Sequence, residues 1–572
     1  MLIDARTLPI NETIETEICI VGTGPAGTTI ARELAGKNFR VCLLESGGLE
    51  FDEATQSLSA GKITTPHFYP TDELTRGRCR QFGGSSNYWD IKIQRGEEKC
   101  HVRHAPLDPI DFEKREWLPY SGWPFDYNHL VPYYERAQEY CQAGPFQYDG
   151  ASWETDDARV LSMGDRITTG VFQFGPSAAF AHVPRQALQN VPNITSYYNA
   201  HVLNIETNET ATQVSRLRVA SAPNREFWVA ARIVILATGG FENARLLLLS
   251  NQTQSTGLGN QHDLVGRYFM DHPGFRIGVL IPTNRKIFDI ATLYDLRRVR
   301  QTPILGRLAI APEVMRQEKL LNSSIMLVPK PIGYGLAAKP LMTLVRSAKQ
   351  GKLPEEAIKK LQKVLTNLDD TALYAYRRAR KLGNLYTASR GGWSTLPDRS
   401  NQFRFLEAVA QVEQVPDPTN RVMLGNEQDP FGRRRIEFYW QWTDLDLQSL
   451  RRTAAILKED FAQSGIGQFQ TMYELNGATN IVNGKEVPRF QSTHHHIGTT
   501  RMHPDPTQGV VDANGKVHGI SNLYITGSSV FPTGGYANPT LTLVALAVRL
   551  AEHMNQVMGN TAVTVESAAP TI

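Results

Sequence analysis

Residues 17–45 read EICIVGTGPAGTTIARELAGKNFRVCLLE: an apolar strand, a glycine-rich turn, a helix and a second apolar strand. This order predicts a parallel sheet with a right-handed crossover. Gly22 suits the tight turn, Gly24 lets the backbone approach a pyrophosphate, and Gly27 lets helix and strand pack closely. Glu45 ends the second strand, where a carboxylate can accept hydrogen bonds from an adenosine ribose. The stretch predicts a Rossmann-like dinucleotide-binding domain, and the acid disfavours NADP because it would repel the 2′-phosphate.

The bulk composition is that of a folded protein with more than one packed unit. The chain has 572 residues, of which 41% are hydrophobic and 20% charged, and its formal net charge is +3. So small an excess gives no reason to expect a nucleic-acid partner. Five cysteines without a Cys-x-x-Cys pair argue against a disulfide framework or a thiolate metal cage. We find no signal-peptide pattern and no apolar run of about 18 residues, so we expect a cytoplasmic protein without a membrane span.

The pattern of strand, glycine-rich turn and helix recurs at residues 231–250 and 521–554, which indicates one nucleotide-binding domain assembled from separated segments. Alternating segments between them, such as RVMLGN and RRRIEFYWQW, favour antiparallel strands. We therefore predict an α/β protein (α+β overall). Residues 1–271 form the cofactor domain with some substrate-domain insertions, residues 272–490 a substrate domain with a basic helical insertion at 335–392, and residues 491–572 a terminal segment of the cofactor domain. For the basic stretch 354–383, a solvated helical face or lid is favoured over a membrane-docking or partner-docking surface.

Five further motifs follow in order along the chain: GGSSNYW (83–89), ATGGFENARLLLLS (237–250), LVGRYFMDHP (264–273), HHHIGTTRM (494–502) and GGYANPTLT (534–542). Together with the first stretch, this series resembles the glucose–methanol–choline (GMC) oxidoreductase family. The ENARLLL and ANPTLT forms are most similar to the branch that contains pyranose 2-oxidase and bacterial sugar dehydrogenases. The resemblance implies the GMC fold, with FAD rather than NAD as the cofactor.

The resemblance also implies particular contacts with FAD. The loop containing Gly83, Gly84, Ser85 and Asn87 would lie beside the flavin and the pyrophosphate. The remaining contacts implied are Val202 (adenine), Thr238 (the dinucleotide), Gly527 and Ser528 (the phosphates or the ribityl chain), and Asn538 and Thr540 (the flavin). Many relatives carry an aspartate where this chain has Gly527. Some relatives tether FAD through a histidine at the position where this chain has Tyr88. We therefore expect FAD to bind without a covalent link.

Alcohol oxidation by a flavin needs a base for the hydroxyl proton, and histidine suits that task. The resemblance places this base at His495 and its partner, which would hydrogen-bond the substrate oxygen, at Asn538. In an extended strand His494 and His496 would share one face and His495 would take the other. With no carboxylate or thiolate clustered nearby, we expect no metal site. We interpret His494, His496, His272 and His503 as structural.

The sequence thus predicts an FAD-dependent enzyme that oxidises a CH–OH group of a sugar, glycoside or polyol by hydride transfer to flavin N5. One alternative keeps the fold but not the net redox reaction, as in a lyase or photoenzyme with a structural flavin. A second is a non-enzymatic flavoprotein subunit. The sequence leaves the electron acceptor open between O₂ and another molecule. It also leaves open a homo-oligomer or a small partner subunit.

Overall fold

A computed structural model describes residues 1–65, 73–93, 99–331, 338–351, 353–354, 356–365, 391–472, 479–482, 485–488 and 490–566. Its helices and strands form two large sheets, two smaller ones and the helices that cover them.

The first sheet is mostly parallel and is built around the stretch that opens the chain. Its central strand, Thr13–Val21, pairs in parallel with Val41–Leu44 on one side and with Arg225–Leu236 on the other. The order across the sheet is Leu2–Asp4, Ile194–Tyr198, Val41–Leu44, Thr13–Val21, Arg225–Leu236, Val214–Ala222 and His201–Thr207, with Leu523–Ile525 also pairing Arg225–Leu236. Strands from the beginning, the middle and the end of the chain therefore meet in one sheet.

The second sheet is entirely antiparallel among its described strands. Their order is Gly467–Thr471, Gly274–Pro282, Phe403–Val412, Ser323–Pro331, Thr302–Ile310, Ile167–Pro176 and His101–His104; Arg297–Val299 and Phe490–Gln491 pair at its margins. Two of these strands come from before residue 271. The predicted segments RVMLGN and RRRIEFYWQW pair in a third sheet, as Arg421–Gln428 against Arg434–Tyr439, with Gly61–Ile63 beside them. Thr479–Val482 and Lys485–Pro488 form a hairpin.

The α-helices cover the sheets and connect their strands. They are Pro25–Glu33, Glu53–Gln56, Glu73–Arg76, Pro109–Phe112, Tyr127–Cys141, Ala178–Gln189, Gly239–Leu249, Ile287–Ile290, Pro312–Glu318, Ala338–Lys349, Ala357–Leu365, Arg399–Gln402, Asp444–Gln463 and Thr540–Glu566. Short 3₁₀ turns occur at Ala5–Thr7, Ser57–Ser59, Gly84–Tyr88, Ala151–Trp153, Thr292–Tyr294, Trp393–Thr395 and Ser528–Val530. Through the part of the chain described, no helix combines the length and the apolar character needed to cross a bilayer.

The predicted fold class is confirmed: a Rossmann-like sheet with helices stands beside a second, antiparallel sheet. The first helix begins at Pro25, within the glycine-rich turn, because proline suits the first position of a helix. The domain limits at residues 271 and 490 remain predictions. Within the predicted insertion 335–392, two helices are described, and residues 366–390 lie outside the described part of the chain.

Candidate active site

A cavity of about 500 Å³ lies where the glycine-rich turns of the first sheet face residues of the second. All predicted site residues line it except Gly27, Gly83 and Asn87; those that do are Gly22, Gly24, Glu45, Gly84, Ser85, Val202, Thr238, His495, Gly527, Ser528, Asn538 and Thr540. Segments far apart in sequence thus converge on one space, of a size usual for cofactor and ligand sites.

The three exceptions hold the walls of the cavity instead of facing it. A Cβ on Gly27 would lie 1.9 Å from the carbonyl oxygen of Gly22, so this glycine permits the close packing of helix on strand. Gly83 has a φ of +95°, and a Cβ there would lie only 2.8 Å from Cα of Ala181. The Asn87 amide donates to the carbonyl oxygens of Phe82, at 3.1 Å, and Gly84, at 2.8 Å, and so fixes the loop.

The cavity wall fits the phosphate part of a dinucleotide. A Cβ on Gly24, Gly239 or Gly527 would meet no atom within 4 Å, so backbone is bare toward the cavity at three separate turns. Two helices, Pro25–Glu33 and Gly239–Leu249, begin at these turns, and no side chain caps their first N–H groups. Uncapped helix N-termini attract phosphate through their free donors and their dipole. The residues present therefore fit the pyrophosphate of FAD.

Glu45 is buried at the edge of this cradle. Its Oε2 accepts from the backbone N–H (3.1 Å) and hydroxyl (2.5 Å) of Thr23, and its Oε1 accepts from the N–H of Gly47 at 2.8 Å. Burial raises the pKa of the carboxyl group, while these hydrogen bonds oppose the rise. The contacts place Glu45 where its strand ends, and a ribose contact remains a prediction.

His495, which also lines the cavity, lies in a hydrogen-bonded cluster. Its Nδ1 is 3.0 Å from Nδ1 of His272 and 2.9 Å from the hydroxyl of Thr493, and its backbone N–H donates to Asp271 at 2.9 Å. Nε2 of His272 is 3.1 Å from the carbonyl oxygen of Gly534. No described residue bonds to Nε2 of His495.

This cluster determines which nitrogen of each ring carries the proton. The carbonyl oxygen of Gly534 can only accept, so Nε2 of His272 carries the proton, and its Nδ1 presents a lone pair in the neutral ring. Nδ1 of His495 must then donate to His272. The Thr493 hydroxyl is consistent with this, because it donates to the His272 carbonyl at 2.7 Å and can accept from His495. Nε2 of neutral His495 is left as a proton acceptor.

The surroundings keep both rings neutral. Burial lowers the pKa of His272 to about 4. The pKa of His495 is lowered well below its ordinary value, first by burial and then by His272, Arg103 and His494, while the Asp271 carboxylate opposes the shift. Burial acts to raise the pKa of Asp271, but the adjacent His495 and His496 and the hydrogen bonds from Ser492 and the His495 backbone N–H hold it well below its usual range.

The predicted extended strand at the three adjacent histidines is wrong, although the rings of His494 and His496 do lie 6.3 Å apart. His494 has a φ of +59°, a left-handed conformation that interrupts an extended strand. All three histidines therefore line the cavity. The His496 ring packs 4.6 Å from that of Phe241, and burial lowers its pKa to about 3. Among the described residues, no group of three or more histidine, cysteine or acidic side chains could hold a metal ion.

Asn538 precedes the helix Thr540–Glu566 and is buried against the second sheet. Its Oδ1 accepts from Nε of Arg103 at 3.0 Å and from Nε2 of Gln411 at 3.3 Å. Its amide NH₂ donates to no described residue. Asn538 and His495 thus present a hydrogen-bond donor and a proton acceptor to the same cavity.

Sequence reasoning missed three residues of this site. His272 was interpreted as structural, although its motif could have suggested a place beside His495. Asp271, in the same motif, binds the backbone N–H groups of both histidines. Arg103 carried one weak signal, a charge in the wholly buried strand His101–His104.

Comparisons with known proteins decide the family. A family model described as GMC oxidoreductase matches residues 416–547, and one described as FAD dependent oxidoreductase matches residues 17–256. Over 585 residues the chain is 32% identical to the 6'''-hydroxyparomomycin C oxidase of Streptomyces lividus, covering 93% of this chain and 90% of that protein. The chain belongs to the GMC oxidoreductase family. The resemblance predicted from the motifs is thereby confirmed.

Other known proteins align over nearly the full length. The fructose dehydrogenase large subunit of Gluconobacter japonicus is 22% identical over 623 residues, covering 95% of this chain and 98% of that protein. A formate oxidase variant of Aspergillus oryzae superposes with a TM-score of 0.52 at 18% identity, covering 97% of this chain and 100% of that one, which shows a shared fold. The protein is an FAD-dependent oxidoreductase of the GMC family, with a small-molecule substrate and an electron acceptor.

Proposed function

We propose that this GMC oxidoreductase oxidises the CH–OH group of a sugar, glycoside or other polyol to a carbonyl. His495 accepts the hydroxyl proton, and the Asn538 amide donates a hydrogen bond to the substrate oxygen. The names of two relatives, a fructose dehydrogenase and a hydroxyparomomycin oxidase, support this substrate class.

The observation that carries the proposal is which ring nitrogens of His272 and His495 carry the protons. The Gly534 carbonyl fixes the proton of His272, and His272 fixes that of His495, so the free Nε2 of His495 is a base. A neutral imidazole with a fixed tautomer is what general-base catalysis requires. Asn538, on the same cavity, supplies the donor that a developing negative oxygen needs.

The step balances in atoms and electrons. The substrate O–H bond breaks and its proton moves to Nε2 of His495, while the carbon releases a hydride and a C=O bond forms. FAD, when bound, would supply the two-electron acceptor for that hydride. The chain's own contribution is to hold the hydroxyl group between base and donor.

The test is an anaerobic screen of the purified holoenzyme against sugars, glycosides, polyols and aromatic alcohols. The readout is the visible absorbance of the flavin, which is lost on reduction. We expect bleaching with at least one sugar or polyol and recovery of the colour on adding O₂ or an artificial acceptor. If no alcohol bleaches the flavin, the proposal fails, and the alternative of a lyase or photoenzyme with a structural flavin gains.

We also propose that FAD is held without a covalent bond, since Tyr88 stands where some relatives carry a tethering histidine. Heat or acid denaturation should then release all flavin into the supernatant. Flavin fluorescence that stays with the protein band on a denaturing gel would contradict this.

A further inference from the structure

Arg103 is a buried cation beside Asn538 that the proposed reaction has not used. It belongs to the edge strand His101–His104, is 8% exposed and lines the cavity. Nε donates to Asn538 at 3.0 Å, Nη2 donates to Oε1 of Gln411, and Nη1 lies 3.0 Å from Sδ of Met326. The guanidinium stacks over the ring of Phe172, 4.4 Å from its centre.

The charge of Arg103 has no carboxylate partner among the described residues. Arg115, by comparison, is fully buried and forms a salt bridge with Glu413 at 2.6 Å. The charged group that acts most strongly on Arg103 is another cation, Arg307, whose guanidinium lies 5.5 Å from the centre of the same Phe172 ring. A buried cation without a counter-charge costs free energy, because it has lost its hydration. This cost is offset when an anionic oxygen enters the cavity.

Arg103 also determines how the neighbouring amides are oriented. A guanidinium only donates hydrogen bonds, so the atoms that face it must be the oxygens of Asn538 and Gln411. Gln411 then donates through Nε2 to the carbonyl oxygen of Tyr536, at 2.6 Å, and to Asn538. The Asn538 oxygen therefore has two donors directed at it, and the NH₂ end of this side chain is left for a ligand.

We propose that Arg103 is a positioning residue: it holds Asn538 with its amide NH₂ toward the substrate oxygen, and its charge favours an anionic oxygen at that place. The inference rests on the proposed alcohol oxidation. It assigns to this chain a second source of stabilisation for the negative charge that develops as the hydroxyl proton moves to His495.

The first experiment measures anion binding, which does not depend on turnover. Acetate, as a probe of an anionic oxygen, is titrated calorimetrically into the oxidised holoenzyme of the wild type, Arg103→Gln, Arg103→Lys and Arg307→Lys. We expect Arg103→Gln to raise the acetate Kd by about tenfold or more, because the positive charge that favours the bound carboxylate is lost. Arg103→Lys should keep part of the affinity. Arg307→Lys is the matched control, since Arg307 contacts the same ring without reaching Asn538, and should bind as the wild type does.

The second experiment is a double-mutant cycle on anaerobic flavin reduction with Arg103→Gln, Asn538→Ala and both together. If Arg103 acts largely through Asn538, each single change slows reduction by about 10²-fold, and the double variant is slowed by much less than the product of the two single losses. FAD affinity and melting temperature are measured on every variant. If Arg103 were merely structural, its substitution would instead lower FAD affinity and the melting temperature, and the losses of the reduction rate would be additive.

Three results would overturn the assignment. They are an acetate Kd that Arg103→Gln leaves unchanged, additive losses of the reduction rate in the double-mutant cycle, and a wild type that binds no acetate. If no alcohol reduces the wild-type flavin, the proposed oxidation fails. Acetate titration then still decides whether Arg103 favours an anion.

Discussion

At His495 the protein engages Nδ1 and leaves Nε2 for the cavity, so the protonation state of the ring decides whether it can accept a proton. Its pKa is lowered, first by burial, and protonation below that pKa removes the lone pair. We expect the rate of anaerobic flavin reduction at limiting alcohol to stay level as the pH falls to about 6.5 and to decline only below it. Stopped-flow absorbance across pH measures this. A decline that begins above pH 7 would contradict it.

Substitution of His272 tests whether this ring fixes the proton on Nδ1 of His495. Glutamine at this position could accept from His495 through Oε1 and donate to the Gly534 carbonyl through Nε2, whereas leucine could do neither. We expect His272→Leu to slow flavin reduction by about tenfold or more, and His272→Gln to keep most of the rate. Flavin content, measured by absorbance, should match the wild type in both. Equal rates for Gln and Leu would show that His272 only fills space.

At the scale of single residues, motif spacing predicted His495 and Asn538, which the structure brings to one cavity. It could not predict Arg103, because the contact of Arg103 with Asn538 joins positions 435 apart. Such a contact depends on how an edge strand of the second sheet meets the last helix, which no local pattern records.

The turn between the first strand and the first helix carries two glycines with different duties. Gly24 has an ordinary φ of −65° and open space where a Cβ would stand, whereas a Cβ on Gly27 would meet the Gly22 carbonyl at 1.9 Å. We expect Gly24→Ala to fold normally but bind FAD more weakly by about tenfold or more, since the methyl group would occupy the space of the phosphates. Gly27→Ala should lower the melting temperature of the apoprotein. Fluorescence titration with FAD and apoprotein melting curves separate the two effects.

Gly164 supplies the matched control, because it is exposed and a Cβ there meets nothing within 4 Å. Gly164→Ala should change neither FAD affinity nor melting. If Gly24→Ala bound FAD as tightly as this control, the cradle at the first turn would not be the phosphate site.

At the scale of elements, apolar runs bounded by glycine predicted the strands of the first sheet well, because burial on both faces leaves a continuous signal. The helix Asp444–Gln463 was not predicted, although Thr443 and Asp446 form a capping box at its start. The strands Ile167–Pro176 and His101–His104 precede the predicted substrate domain, yet pair within its sheet. Their hydrophobic pattern does not say which sheet they join.

Across the whole molecule, several histidines are buried as neutral rings. His104 is fully buried, neither ring nitrogen has a partner among the described residues, and burial lowers its pKa to about 3. The unfolded chain takes up this proton near pH 6.5, so His104 makes folding less favourable as the pH falls from about 6.5 toward 3.

The free energy of unfolding should drop between pH 7.5 and pH 5 in both the wild type and His104→Leu. We expect the drop in His104→Leu to be smaller than that in the wild type by about 2 kcal/mol. Denaturant unfolding of the two proteins at both pH values measures the difference. Identical pH dependence would mean that His104 titrates normally in the folded protein.

The cavity forms only in the complete fold, because segments far apart in the sequence contribute its walls. Its walls come from the first turn, the GGSS loop, the helix that follows Gly239 and the terminal histidine and asparagine segments. The ordered motifs predicted these contributors and the fold class. The hydrogen bond between His272 and His495 and the contact of Arg103 with Asn538 depend on tertiary structure, so no local pattern predicted them.

The most direct test of the central claim is the single-turnover rate of anaerobic flavin reduction by an alcohol that bleaches the wild type, compared between His495→Ala and His503→Gln. His503 is half-buried and lies outside the cavity lining. We predict that His495→Ala reduces its flavin about 10²-fold to 10⁴-fold more slowly with FAD still bound, while His503→Gln matches the wild type. Reduction of the His495→Ala flavin at the wild-type rate would contradict the account.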